Sequence, residues 1–235
     1  METFGHYFFE FFMMFLAVFL GFLADNIRER LAEKKQERVY MQNMLEDLQA
    51  DIALASNHAK NNKVVFELIE TLVQLIKSPE RKQYITKLAY TARMILPEFK
   101  QLYLTERTYE QMKSSGTLRL ISNQQVANGI SSYYYSINEL KKYNESIMVW
   151  ATDYGNEMGQ LFDGELLLKI IKEKKEIAAD ATALLTEDPI ALNQLITSAQ
   201  YLYGALILGE KIGNERSVAA QNLIDLINTE YKLGL

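Results

Sequence analysis

An apolar run near the N-terminus constrains this chain more than any other feature of its sequence. Residues Phe11 to Ala24 (FFMMFLAVFLGFLA) are 14 consecutive apolar residues, and counting back through Glu10 to Tyr7 extends the stretch to 18. As an α-helix the longer stretch spans about 27 Å, close to the roughly 30 Å hydrocarbon core of a bilayer. The run is therefore long enough to cross a membrane.

Three interpretations of this run compete: a secretory signal peptide, a buried core helix and a transmembrane anchor. A signal peptide has a basic leader and small residues at its cleavage site, but METFGHYFFE contains no Lys or Arg and no Ala-x-Ala pattern follows the run. A core helix of a soluble domain shows a polar face, whereas every face of the run is apolar. The flanks and faces favour a single-pass transmembrane anchor over residues 1–27.

Composition predicts an all-α fold for the whole chain. Only 3 Pro and 11 Gly occur among 235 residues, too few to form the turns of a β-sandwich or barrel. Steps of four and three residues from Glu10 trace a coiled-coil-like seam through Met41 to Ala55, so the transmembrane helix is expected to continue as a long helix over residues 28–60. Beyond Met41 the seam fits packing on the chain's own later helices as well as on a second copy.

A polar stretch around Asn57 to Asn62 separates this helix from apolar stripes that predict an antiparallel helical bundle over residues 61–235. Pro79 and Pro97 are expected to open helices. Asp188-Pro189 has the pattern of a cap and first turn, and it predicts a last helix that reaches about Tyr231.

Small residues in the run predict self-association. Ala17 and Gly21 are four residues apart, and Ala24 lies on the same helical face. Small residues at this spacing let two transmembrane helices approach closely. Ala17, Gly21 and Ala24 are therefore the predicted interface of a homo-oligomer.

Glu10 supports two interpretations. A carboxylate at membrane depth is a functional hypothesis by default, for instance as a proton or ion site shared by several subunits. Glu10 also lies near the outer end of the apolar stretch, where its side chain reaches headgroups and water by snorkelling. No second ionisable residue lies between Glu10 and Asp25 to continue a relay.

Charge indicates where the rest of the chain lies. Five bases follow the anchor: Arg28, Arg30, Lys34, Lys35 and Arg38. The positive-inside rule then places the soluble part in the cytoplasm, on the inner membrane of a bacterium, although interleaved glutamates weaken this bias. The net charge of −5 supplies no global positive field for nucleic acid.

No catalytic or metal-binding pattern is apparent. The chain has no Cys, and its two histidines, His6 and His58, lack a ligand partner three or four residues away. Ser114-Ser115-Gly116 fits a helix C-terminus and not a nucleophile elbow. The sequence predicts a non-enzymatic interaction or scaffold protein that needs no cofactor and binds the bilayer and a protein partner it does not identify. The alternative is a subunit of an ion-conducting or ion-coupled complex that uses Glu10.

The N-terminal segment resembles the DUF6090-like family of small bacterial single-pass membrane proteins. The family pattern is a Glu at the start of an apolar helix, a small residue seven positions on, an Asn/Asp pair and then a charged helix with Tyr and Leu-x-x-Asp-Leu. The matching residues here are Glu10, Ala17, Asp25, Asn26, Tyr40 and Leu45-Glu46-Asp47-Leu48. The usual Gly is Ala17 here, and Ile27 replaces the family's Trp.

A second segment, Thr108 to Ile121, is similar to a family stretch of the form T-Y-x-x-L-K-S-S-G-x-L-x-L-I, which a helix with Tyr133 and Tyr134 follows. The resemblance implies a membrane-anchored helical protein and brings no catalytic residue. Many family members have a basic leader, which this sequence lacks. Such a leader implies the opposite orientation, with the domain in the periplasm.

Overall fold

The computed structural model describes the backbone of residues 2–233 and the side chains of residues 8–233. Within this part of the chain six α-helices and three short 3-10 helices form, and no β-strand does. The α-helices are α1 (Glu2–Lys77), α2 (Ile85–Glu98), α3 (Arg107–Ser114), α4 (Gln124–Leu161), α5 (Gly164–Glu173) and α6 (Pro189–Tyr231), and the 3-10 helices are Arg81–Tyr84, Thr117–Leu120 and Ala181–Ala183. The all-α prediction is confirmed.

The first helix is longer than the sequence predicts. α1 runs without a break through residues 57–62, where a polar stretch was expected to separate two helices, so residue 60 is not the end of a helix. The reason is that the buried positions keep their spacing of three or four residues across this stretch. Ala55, His58, Asn62 and Val65 are all buried, and two of them are polar.

α6 runs antiparallel to α1. Near the middle of α1, the Arg38 guanidinium donates to the carbonyl oxygen of Tyr231 at 2.8 Å, while towards the end of α1 the Glu70 carboxylate accepts from the Tyr203 hydroxyl at 2.9 Å. A Cβ atom at Gly213 would lie only 3.2 Å from Leu102 Cδ2 and 3.6 Å from Ala55 Cβ. Glycine at this position therefore permits the close approach of α6.

α4 also packs antiparallel to α6. Gly129, near its start, faces Leu223, and the Tyr143 hydroxyl further along donates to the carbonyl oxygen of Ala205. Asn123 caps α4 by accepting from the backbone N–H groups of Gln125 and Val126, which satisfies donors that have no partner within the helix.

Buried apolar side chains form two main clusters along these helices. One, which includes Tyr40, Met44, Leu45, Met112 and Tyr134, lies between α1, α3, α4 and the end of α6. The other lies at the far end of α1, where α2, α5 and the start of α6 meet. The packed body of the protein therefore begins at about Tyr40.

Two proline predictions have different outcomes. Asp188 caps α6 by accepting from the Ile190 N–H, and Pro189 occupies the first turn, as predicted. Pro97 does not start a helix but lies in the last turn of α2, and the chain becomes extended at Phe99. Proline has no N–H to donate to the carbonyl four residues back, so Pro97 removes one hydrogen bond of α2, and the helix ends at the next residue, Glu98.

Candidate functional site

The first half of α1 projects from the packed helices. No side chain among residues 8 to 36 is buried, and the first buried side chain along the helix is that of Glu37. These residues cover about 43 Å of helix at 1.5 Å per residue. We call residues 8–36 the projecting half of α1.

Apolar side chains dominate the outer part of the projecting half. Phe11, Phe22 and Leu31 are 67%, 73% and 63% exposed. Among the described residues α1 is the one helix that is long and apolar enough to cross a membrane, and none of its most apolar 18-residue window is buried. The rest of the chain thus provides no cover for the apolar run.

All four predicted site residues lie on one face of the projecting half. Glu10, Ala17, Gly21 and Ala24 are spaced by seven, four and three residues and are exposed. A Cβ atom placed on Gly21 would have no atom of this chain within 4 Å. The structure therefore groups the predicted interface residues and leaves their face open to a neighbour.

Directly below the projecting half, Glu37 connects α1 to two other segments. Its carboxylate is 5% exposed, and its Oε1 atom accepts from the Ser122 N–H at 2.6 Å, the Ser122 hydroxyl at 2.9 Å and the Tyr231 hydroxyl at 2.5 Å. Glu37 thus fixes the start of α4 and the end of α6 to the point where α1 leaves the body.

Two further buried carboxylates on α1 hold the start of α3 and the segment directly before it. Asp47 accepts from the Thr108 N–H at 2.9 Å and from the Arg107 guanidinium at 2.6 Å, and Asp51 accepts from the Thr105 N–H at 2.5 Å. Burial raises the pKa of Asp51, and these hydrogen bonds oppose that rise. We call Glu37, Asp47 and Asp51 the α1 carboxylates.

Tyr133 and Tyr134 complete the polar contacts of this region. The Tyr133 hydroxyl donates to Asp51 at 2.8 Å, and the Tyr134 ring stacks on Tyr109 with 4.3 Å between ring centroids. Burial raises the pKa of both tyrosines far above the ordinary value, so their hydroxyls remain protonated donors. The next residue, Tyr135, is 70% exposed.

These contacts join α1 and α4 to the segment Thr108 to Ile121. Asp47 belongs to α1 and Thr108 to this segment, and Tyr134 of α4 packs on Tyr109 of the same segment and donates to the Met44 sulfur at 3.2 Å. Their residue types are thus explained by packing and hydrogen bonding between α1, α3 and α4.

His58 is a structural residue of the core. Its Nε2 atom lies 3.0 Å from the carbonyl oxygen of Lys100, and its Nδ1 atom lies 3.4 Å from the Asn62 amide nitrogen. Burial lowers the pKa of His58 below its ordinary value, which favours the neutral ring. His6 lies outside the residues whose side chains are described, and among those residues no group of three or more His, Cys, Asp or Glu is placed to hold a metal ion.

The burial of the α1 carboxylates was not predicted from the sequence, where they were treated as part of a charged helix. Their spacing was the available signal. Asp47 and Asp51 are four residues apart, and Asp51, His58 and Asn62 continue at intervals of seven and four, the spacing of one buried helix face.

Comparisons of this chain with protein-family models, with curated proteins and with solved structures find no match.

Proposed function

We propose that this chain is a membrane-anchored helical interaction or scaffold protein. Residues 1–27 cross a bacterial inner membrane once, and the packed helices present a surface to a protein partner. One observation carries the proposal: the exposed apolar run and the central helix of the body are parts of the same uninterrupted helix. The body is thereby attached to the anchor without a flexible linker.

The absence of burial supports a membrane span over a core helix. A core helix covers its apolar side chains with its own chain, whereas the most apolar window of α1 is fully uncovered. An apolar surface of this length on a soluble protein would promote aggregation, and a bilayer covers it on all sides.

The contacts of α6 with α1 and α4 support an antiparallel bundle as the form of the body. The α1 carboxylates reinforce it, since each holds a connecting segment or a helix end to α1. We infer that the body works by presenting a fixed surface, with no catalytic step of its own. The resemblance to the DUF6090-like family is consistent with this role.

Self-association through the anchor is part of the proposal. Ala17, Gly21 and Ala24 share one open face of α1, and small residues on one face let two helices pack closely in lipid. The basic residues after the run favour a cytoplasmic body. A cytoplasm-dependent reporter fused after Leu235 should then be active, and activity of a periplasm-dependent reporter alone would reverse the orientation.

Membrane retention of paired variants tests the anchor. Val18→Lys with Leu20→Lys places two charges in the exposed apolar run, at about 2.5 to 3.5 kcal/mol each against insertion, and should release the chain from alkali-washed membranes. Leu54→Lys with Val64→Lys makes equivalent changes at exposed positions of the packed half and should leave retention unchanged. Equal membrane retention of the two double variants would contradict the anchor.

A second candidate is a subunit of an ion-conducting or ion-coupled complex. The observation in its favour is that Glu10 lies on the same face as Ala17 and Gly21, so association of several copies through that face would bring several carboxylates together. Glu10→Gln should then change ion leakage from reconstituted vesicles, while Asp25→Asn should not. Unchanged leakage with Glu10→Gln would eliminate this candidate.

A further inference from the structure

We propose that a groove at the point where α1 leaves the body binds the headgroup of an anionic phospholipid, an inference that rests on the proposed membrane anchor. The groove has a volume of about 530 Å³, and its lining includes Ile27, Arg30, Leu31, Lys34, Arg119 and Leu120. We call it the junction groove.

Two separate segments build the junction groove. Arg30 and Lys34 lie one helical turn apart on α1, and Arg119 comes from the 3-10 helix Thr117–Leu120 on the opposite wall. The hydrogen bonds from Ser122 to Glu37 fix that wall against α1. The three bases therefore converge because of the tertiary fold, and sequence spacing alone would not bring them together.

The three bases are available to a ligand. Two neighbouring basic groups are engaged: Arg28 pairs with Asp25 at 3.0 Å, and Arg38 donates to the end of α6. Arg30, Lys34 and Arg119, by contrast, form no ion pair with another described residue.

Two acids also line the junction groove, Glu33 and Glu37. Glu37 is nearly fully buried, and one of its oxygens already accepts three hydrogen bonds. The bases thus outnumber the acids, and the exposed charge of the groove is mainly positive. Such a site attracts an anion, and guanidinium and ammonium groups are the usual ligands of phosphate.

The position of the groove identifies the anion as a lipid headgroup. Arg30 and Lys34 follow Ala24 by about 9 Å and 15 Å along the helix axis, just beyond the hydrocarbon boundary that the apolar run defines. Long basic side chains at this depth extend towards the interface. Ile27 and Leu31, which are 52% and 63% exposed, lie between the apolar run and the bases and provide apolar contact for the glycerol and upper acyl chain.

The test measures phosphatidylglycerol retained by the full-length chain, with native mass spectrometry after release from nanodiscs that contain equal phosphatidylglycerol and phosphatidylcholine. Arg30→Gln, Lys34→Gln and Arg119→Gln are compared singly and together. The control combines Lys60→Gln, Lys87→Gln and Lys142→Gln, three exposed lysines of the body outside the groove, and removes the same total charge. Circular dichroism checks that both triple variants keep the helical fold.

Each groove substitution should weaken phosphatidylglycerol retention about fivefold, which corresponds to about 1 kcal/mol per basic residue near an anionic surface, and the triple variant roughly a hundredfold. The control variant and phosphatidylcholine retention should be unchanged, and excess inorganic phosphate should not displace the lipid. Equal retention by the groove variant and the wild type, or equal loss in the control, would overturn the groove. Failure of the chain to enter nanodiscs at all would instead overturn the anchor and the groove with it.

Discussion

The two halves of α1 share one uninterrupted helical backbone, but only the second half buries side chains. Residues 8–36 bury no side chain and expose apolar side chains on all faces of the run Phe11 to Ala24, while residues 37–77 bury one face of the helix and expose the other. The buried face carries apolar residues such as Met41 and Leu45 and also the α1 carboxylates. Under the proposed membrane anchor, one helix therefore extends from lipid into water.

The comparison shows how the exposed apolar run is joined to the body without a flexible linker. In the projecting half no side chain is buried, and only residues near its inner end, such as Arg30 and Lys34, face another segment of the chain. In the packed half each of the α1 carboxylates accepts from specific donors, because an unpaired buried carboxylate is unfavourable. The helix changes from exposed to partly buried at Glu37, which binds the segment before α4 and the end of α6.

The largest contrast should come from leucine truncations. Leu45 is fully buried and Leu31 is 63% exposed. Leu45→Ala leaves a cavity and should lower the free energy of unfolding of the body by about 2 to 5 kcal/mol, whereas Leu31→Ala should not change it measurably. Denaturant unfolding followed by circular dichroism measures both, and equal losses would show that the halves are not distinct.

A smaller contrast is expected between two aspartates of the same helix. Asp47→Ala removes the acceptor of the Thr108 N–H and of Arg107, and should destabilise the body by about 2 to 4 kcal/mol because a buried donor is left unpaired.

The matched change is Asp25→Ala, which removes an ion pair with Arg28 whose side chains are both exposed. Exposed pairs contribute little to stability, so its unfolding curve should overlay that of the wild type. An Asp47→Ala protein as stable as the Asp25→Ala protein would refute the role given to the α1 carboxylates.

Self-association should respond to the projecting half alone. Gly21→Ile adds bulk where no atom of the chain lies within 4 Å, so it cannot disturb the fold, but it should weaken association in detergent roughly tenfold because close helix approach is lost. Phe22→Ile, on another face, is the control. Sedimentation that gives the same mass for Gly21→Ile and the wild type would place any oligomer contact on the body.

The smallest effect is a pH dependence from His58. Its folded pKa lies below the unfolded value of about 6.5, so its stabilising contribution is complete above pH 6.5 and is lost as pH falls through the folded pKa. Wild-type stability should therefore fall more between pH 7.5 and 5.5 than that of His58→Gln, by less than about 1.4 kcal/mol for each unit of pKa shift.

Asp51 acts in the opposite sense, because a raised pKa adds stability as pH falls. Asp51 is present in both the wild type and His58→Gln. The difference between their plots of unfolding free energy against pH therefore reports His58 alone. Identical slopes of the two curves would show that His58 is not held neutral by the fold.

The sequence predicted those elements for which a local pattern is sufficient. The apolar run, the cap at Asp188 and the end of α6 depend on neighbouring residues, and the structure has them as predicted. The seam from Met41 to Ala55 also holds, and packing within the chain covers it: Met41, Leu45 and Leu48 are fully buried.

The predictions that failed depend on tertiary partners. Asn62 and His58 are polar and suggested a break in the helix, but each is buried among partners that only the fold supplies. The junction groove was missed for the same reason: Arg119 is 85 residues from Lys34 in the chain, and nothing in its local sequence indicates that the two face one groove.

The most direct test of the continuous two-solvent helix is spin-label accessibility along α1 in the full-length chain, reconstituted in bilayers. The chain has no Cys, so Val18→Cys and Ser56→Cys each give one labelled site, both on exposed positions of α1. A nitroxide at position 18 should collide with oxygen far more than with a water-soluble nickel complex, and one at position 56 should show the reverse. Equal nickel access at the two positions would contradict a single helix that extends from lipid into water.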